Sequence, residues 1–342
     1  MDIRIAADSD QEQWNQFVDR HGGSFFLYYD WKFVYEFTRH NHYVPLLIHD
    51  SNSNILGIFP LVEQKADRIY PWLSSMPDGA TGGFLLSNSL DEERKNQTLN
   101  LFFEFIDKNY SHSHSLITLK EQIQMENDSI EQNRILLDNG YEWMVDTTTM
   151  LPSMHYLRLE QPFEEKIWKG LWSKWLRQKI RHVKKAGLVV ILDDKLEYLD
   201  DFIEMQCQTD KKFGGNTDKG RVMQIFNVFQ SKIKLFIGLL DSKPISAALC
   251  FSTPTTFYLS KGPYLPIASE YLTNTLPNCA AIRYACENGF RYVELGITNT
   301  SGIAVHKNKF KATGTPLRIY RKKLSLFKFY VNKTYGFVMD DR

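Results

Sequence analysis

The chain has 342 residues, 43% of them hydrophobic and 14% aromatic, long and apolar enough for two domains with substantial cores and too apolar for a disordered polymer. A formal net charge of +1 excludes a global attraction to DNA or to an anionic surface, so any basic site has to be local. The four cysteines, Cys207, Cys250, Cys279 and Cys286, form no Cys-x-x-Cys pair, and His112, His114 and His306 lack a third ligand at a metal-binding spacing, so free buried thiols and no metal are expected.

The chain opens on a strand-like Ile3-Arg4-Ile5 without the basic-then-apolar pattern of a signal segment. No apolar run approaches the ~20 residues of a membrane-spanning helix, and a soluble cytoplasmic protein is expected. A helix over 9–20 sets Trp14, Phe17 and Val18 on one face, and a second over 30–40 aligns Trp31, Val34, Tyr35 and Thr38. Residues 44–49 and 55–62 read as a strand and its return around a polar turn. Pro77, Gly79, Gly82 and Gly83 mark a glycine-rich loop, followed by a helix near 92–109 and a strand near 115–119.

The second half repeats this outline in shape, not in sequence. A basic helix over 164–186 leads to a strand at 188–192 and helices at 196–210 and 218–230. Strands at 233–240 and 245–252 then flank the turn Asp241-Ser242-Lys243-Pro244. Two such copies predict an α/β chain of mixed α+β sheets in two like domains, 1–150 and 151–342, joined somewhere within 145–165. Met154 to Leu159 reads as a strand of either domain. Between Lys166 and Lys185 the basic helix carries Lys166, Lys169, Lys174, Arg177, Lys179, Arg181, Lys184 and Lys185 with no acid among them, beside an apolar stripe of Trp168, Trp172, Trp175, Leu176, Ile180 and Val183. It suits a core-packed helix with a solvated cationic face or a membrane-surface helix, and both readings stand.

The most specific stretch comes last. A helix over 279–288 ends at Gly289, the strand Phe290-Arg291-Tyr292-Val293-Glu294-Leu295-Gly296 follows, and a polar loop over 297–306 delivers Lys309-Phe310-Lys311-Ala312-Thr313-Gly314. Glu294, at the end of its strand and beside the loop, is the best-placed carboxylate for a general base. This composite resembles the carboxy-terminal signature of the FemAB-like acyltransferases, a branch of the GNAT superfamily that moves acyl or aminoacyl groups onto amines. Ser24-Phe25-Phe26, Trp31, the strand 57–61 and the loop 77–83 fit the same family in the first half.

The resemblance implies two tandem GNAT-like domains and places Phe310 and Lys311 in the active site, with the Lys311 ammonium near the reacting carbonyl. A cation there would hold the negative charge that develops on the oxygen. It further implies that Arg177 contacts the phosphates of a nucleotide-linked substrate, for which a guanidinium fork is suited. Tyr258 becomes a substrate hydrogen-bonding residue, and Asp210 and Lys212, at a charged junction between helix and loop, border the acceptor. The loop Arg/Gln-x-x-Gly-x-Gly/Ala, with which conventional GNAT enzymes cradle a pyrophosphate, has no counterpart here. The donor therefore stays open among acyl-CoA, acyl carrier protein and aminoacyl-tRNA. The expected activity is transfer to an amine of a nucleotide- or lipid-linked envelope or polysaccharide precursor, with tRNA or a carrier protein as partner and at most peripheral membrane contact. Transfer from acyl-CoA to a free small amine, and a non-catalytic protein binding an anionic polymer or membrane, are the rival expectations.

Overall fold

The structure, a computed structural model, describes residues 1–38, 41–65, 71–77, 82–120, 130–143, 152–269, 275–298 and 300–324. Gly79 and most of the expected connection before residue 152 lie outside the described residues. The chain divides into two compact units, one made of Met1–Thr147 and Leu317–Arg342, the other of Thr148–Pro316. The chain from Leu317 onward joins the first unit, where the sequence had placed it in the second.

In the first unit the strands are β1 (Asp2–Ile5), β2 (Asn41–His49), β3 (Ile55–Gln64), β4 (Trp72–Ser74), β5 (Leu85–Leu86), β6 (Leu116–Lys120) and β7 (Glu142–Trp143). Its helices are α1 (Gln11–Arg20), α2 (Trp31–Tyr35), α3 (Glu92–Tyr110) and α4 (Ile130–Asp138). As the spacing demands, α1 buries Trp14, Phe17 and Val18. α2 is shorter than the stripe predicts, because the Thr38 hydroxyl takes the Tyr35 carbonyl that a further helical turn would need. β3 lies under α3, with Phe59 against Phe102.

The second unit runs β8 (Ser153–Arg158), a π-helical segment Glu164–Leu171, α5 (Lys174–Lys185), β9 (Val189–Leu192), α6 (Leu199–Lys212), α7 (Lys219–Phe229), β10 (Ile233–Leu240), β11 (Lys243–Ser252), β12 (Thr256–Lys261), α8 (Thr275–Glu287), β13 (Tyr292–Thr298), α9 (Ser301–Asn308) and β14 (Thr313–Pro316). The last strand, β15 (Ile319–Lys323), then enters the first unit's sheet. Two expectations are corrected. The basic helix is broken at Trp172, which is extended and buried against Phe163, Trp168 and Phe310, and the Ser173 hydroxyl accepts from Leu176 N to start α5 afresh. The polar loop after β13 contains the helix α9, capped by the Thr300 hydroxyl, which accepts from Ile303 N.

Both sheets have the same order. The first is β1-β2-β3-β4-β6-β15-β7 with β5 added beside β3, and the second, read in the same sense, is β9-β10-β11-β12-β13-β8-β14. Each is antiparallel except for one parallel pair, β4 with β6 and β12 with β13. The sixth position in each is filled out of turn. β8 precedes the rest of its unit in the chain, and β15 follows the whole of the other unit. The second core is gathered on one side of its sheet, where α5 contributes Leu176, Ile180 and Val183 and α8 contributes Ala281, Ile282 and Ala285. Burying a side chain such as Leu or Ile is worth about 1.5–3 kcal/mol, so α5 is firmly held by its inner face. Free cysteines are found as expected, with Cys250, Cys279 and Cys286 buried and Cys207 partly so.

Candidate active site

The parallel pair β12/β13 is held over only three residues, Thr256 with Tyr292, Phe257 with Val293, and Tyr258 with Glu294. Beyond that point β12 continues along β11 and β13 along β8, so the two neighbours part at Tyr258 and Glu294. On β13 the register with β8 slips by one residue between Glu294 and Ile297, a bulge that turns on Gly296 at φ 74. Only glycine enters that region without strain, which is the local reason for glycine here.

Cross-strand register sets Tyr156, Glu294 and Tyr258 in one row over β8, β13 and β12. Their alternates Leu157, Val293 and Phe257 point to the core with α5 and α8, so the row faces the opposite side of the sheet. Glu294 is only 4% exposed. The Tyr156 hydroxyl donates to its Oε2 at 3.1 Å. Burial pushes the Glu294 carboxyl up to about 7, against the opposing pull of the Tyr156 hydrogen bond and of the Lys307 charge.

Lys307 is the second buried charge, on α9 and 5% exposed. Its ammonium donates to the carbonyls of Gly296 at 2.5 Å and Ile297 at 2.9 Å, the two oxygens that the bulge presents. Burial brings it down to about 8, and the Glu294 carboxylate works the other way. A carboxyl and an ammonium thus share one buried setting, each with its proton exchange near neutral pH. Two imidazoles stand close by in the chain fold. His306 is brought down to about 4, first by burial and then by Lys309 and Lys307, and its Nε2 accepts from Asn278 Nδ2 at 3.3 Å, so it is a neutral ring with its proton on Nδ1. His155 is also shifted downward by burial and by Lys307, and its Nδ1 has no hydrogen-bond partner among the described residues.

The structure brings two of the sequence-predicted residues together, Glu294 and Tyr258. Phe310 is fully buried, its ring against Trp172 and His306. Lys311 follows α9 as an exposed residue in the left-handed region at φ 61. Arg177 donates through one nitrogen, Nη1, to the carbonyls of Trp168 and Lys169, closing the π-helical segment. Asp210 accepts from Gln206 Nε2 at 2.7 Å and Thr217 Oγ1 at 2.6 Å, pinning the loop after α6. Lys212 is exposed, its ammonium 5.4 Å from the Tyr264 ring centre and 5.8 Å from that of Phe213. Sequence reasoning missed Tyr156, Lys307 and the pairing of Asn278 with His306. Lys307 carries a local signal in hindsight, as the residue of α9 that is inward while Ile303 and Val305 are outward.

The Acetyltransferase (GNAT) domain family matches residues 173–311, which fall within the second unit and include β12, β13, Glu294 and Lys307. Among solved structures, the chain is similar to FemX at a TM-score of 0.75 and 14% identity, over 98% of this chain and 100% of that one. Residues 173–311 thus match a GNAT domain, and the chain as a whole shares the tandem fold of FemX. A tandem GNAT protein from the clavulanic acid biosynthesis pathway matches at a TM-score of 0.58 and 12% identity, over 94% of this chain and 98% of that one. The C-terminal domain of a putative lysylphosphatidylglycerol synthetase from Agrobacterium fabrum matches at 0.58 and 12%, over 94% and 95%. No curated protein sequence matches the chain significantly. The two units do not carry the same row of residues. In the first sheet the row that corresponds to Tyr258, Glu294 and Tyr156 is Ser74, Thr118 and Arg321, without a carboxylate.

Proposed function

We propose that the protein is an N-acyltransferase that moves an acyl or aminoacyl group onto an amine of a cell-envelope or polysaccharide precursor, with the chemistry in the second unit. The observation that carries this reading is Glu294, a buried carboxyl brought up to about 7 at the point where two parallel strands part. A base with that value is ionised often enough to accept a proton and binds it firmly enough to take it from an attacking amine.

The amine nitrogen attacks the donor carbonyl, the C–N bond forms, and the bond to the donor's sulfur or oxygen breaks. Glu294 receives the proton that leaves nitrogen and returns it to the leaving group or to solvent. Lys311 supplies the cation toward which the carbonyl oxygen's charge develops, and Phe310, buried under it, fixes the turn that presents it. Direct transfer without a covalent enzyme intermediate is in keeping with the thiols of Cys250, Cys279 and Cys286, which burial pushes upward, away from the thiolate that nucleophilic catalysis needs. Arg177 would meet an acceptor phosphate through the part of its guanidinium that does not cap the π-helical segment, while Tyr258, Asp210 and Lys212 border the acceptor.

The similarity to FemX and to a putative lysylphosphatidylglycerol synthetase supports an envelope precursor, nucleotide- or lipid-linked, as the acceptor. The point where β12 and β13 part, at Tyr258 and Glu294, is where the donor carbonyl would lie, whereas the sequence before α8 offers no Gly-x-Gly cradle for a pyrophosphate. Acyl-CoA, acyl carrier protein and aminoacyl-tRNA are accordingly tried side by side as donors. In that assay, amide formation lost in Glu294→Gln and Lys311→Ala supports the mechanism. Full turnover of both variants with an identified donor and acceptor would remove it.

A further inference from the structure

The cationic stretch around α5 has no role in proton transfer. Residues 166–192 hold eight Lys or Arg and no Asp or Glu, whereas the whole chain is only +1, so everything outside this stretch is net acidic. The structure concentrates the charge further. With Leu176, Ile180 and Val183 turned into the core, Lys174, Lys179, Arg181, Lys184 and Lys185 are all exposed. Trp175 is 49% exposed on the same helix.

A cationic face by itself suits any polyanion. Here an apolar feature accompanies it. Trp175, Lys179 and Lys309 border a shallow groove floored by Ile180, Val183 and Leu276. Aliphatic groups under a rim of ammoniums, with an exposed indole beside them, match an anionic amphiphile, whose phosphate meets the lysines and whose chain or glycerol backbone meets the hydrocarbon. A polyphosphate without apolar parts would leave the groove unused. The helix need not leave the core to engage, since its inner face remains packed.

We propose that the solvent face of α5 docks the protein on an anionic lipid surface, with the Lys and Arg side chains at the headgroup phosphates and Trp175 at the boundary between headgroups and chains. Docking is independent of acyl transfer, and its test requires no turnover. The full chain is sedimented with vesicles of phosphatidylcholine alone and of phosphatidylcholine with phosphatidylglycerol in about equal parts, with mixed tRNA as a second probe.

The expected result is binding to the anionic vesicles and little to the neutral ones, falling steeply as salt rises. Lys174→Glu/Lys179→Glu/Lys185→Glu should weaken it roughly tenfold or more. Lys195→Glu/Lys219→Glu/Lys243→Glu, an equal charge change at exposed residues elsewhere in the unit, should leave most of it. Trp175→Ala should abolish the blue shift of tryptophan emission on binding, with thermal melts confirming that each variant is folded. Equal loss in the two triple variants, equal binding to neutral vesicles, or no vesicle binding would overturn the proposal. Binding to tRNA without binding to vesicles would overturn it in favour of a nucleic-acid face.

Discussion

Glu294 and Lys307 confer opposite pH dependences on one site. Glu294 must be ionised to accept a proton, so kcat/KM should rise with pH through about 7. Lys307 holds the bulge only while charged, so activity should decline as pH passes about 8. The pH–rate profile should therefore be a narrow bell, and Glu294→Gln should lower kcat at its top by roughly a hundredfold or more, the low end for a lost general base. A variant that keeps wild-type kcat would exclude Glu294 from proton transfer. Stability should show the complementary sign. Because the folded-state value of Glu294 is raised, its destabilising effect is absent in acid below the ordinary carboxylate value, builds as pH rises toward about 7, and is level above it. Melting curves should show wild type losing stability relative to Glu294→Gln across that interval and no further above it. Lys307→Met should remove the alkaline limb of the bell, a change in profile that mere loss of packing would not produce.

At the scale of elements, the bulge on β13 is a device for aiming. Gly296 allows the turn, its carbonyl and that of Ile297 face inward, and α9 returns Lys307 to hold both. Gly296→Ala should cost about 1–2 kcal/mol in chemical unfolding, since any Cβ disfavours that backbone region, and should lower kcat with it. Retained stability together with retained kcat would mean that the bulge does not set the geometry. Here the limits of sequence reading are physical. β13, α8 and the hairpins β2/β3 and β10/β11 are legible because period and turn residues are local, and Glu294 is legible as the carboxylate of its strand, although β13 runs on past it to Thr298 where the sequence had set it at the strand's end. Tyr156 was not, since its place depends on pairing with a strand more than a hundred residues away. Lys307 was hidden in a segment whose polar composition reads as loop, because a buried lysine contradicts the pattern that marks a helix face. The break at Trp172 escaped notice for a similar reason: its aromatic ring continues the apolar stripe while its backbone leaves the helix.

For the whole molecule, the returning strand β15 matters most. Sequence repeats suggested two halves in line, and the sheets do have matching order, but β15 lies between β6 and β7 in the interior of the first sheet. It is anchored by buried Tyr320 and Leu324 and by Lys322, whose ammonium meets Asp107 at 2.7 Å and lies over the Tyr141 ring. A chain ending at Pro316, which retains every residue of the second unit, should show a lower melting transition for the first unit and faster proteolysis within it. Tyr320→Asp in the full chain should act the same way, and unchanged melting in both would mean that the seven-stranded order is not what stabilises that unit.

The same strand imposes an order on synthesis. The first unit leaves the ribosome first, yet the middle of its sheet has a vacant position until the residues after Pro316 emerge. Throughout translation of the second unit, β6 presents an unpaired edge, the kind of surface that recruits the wrong neighbour. The second unit has no such wait, because β8 is made before the strands that need it. The half that begins first should therefore be the last to become native, and its safety in the interval rests with whatever shields β6.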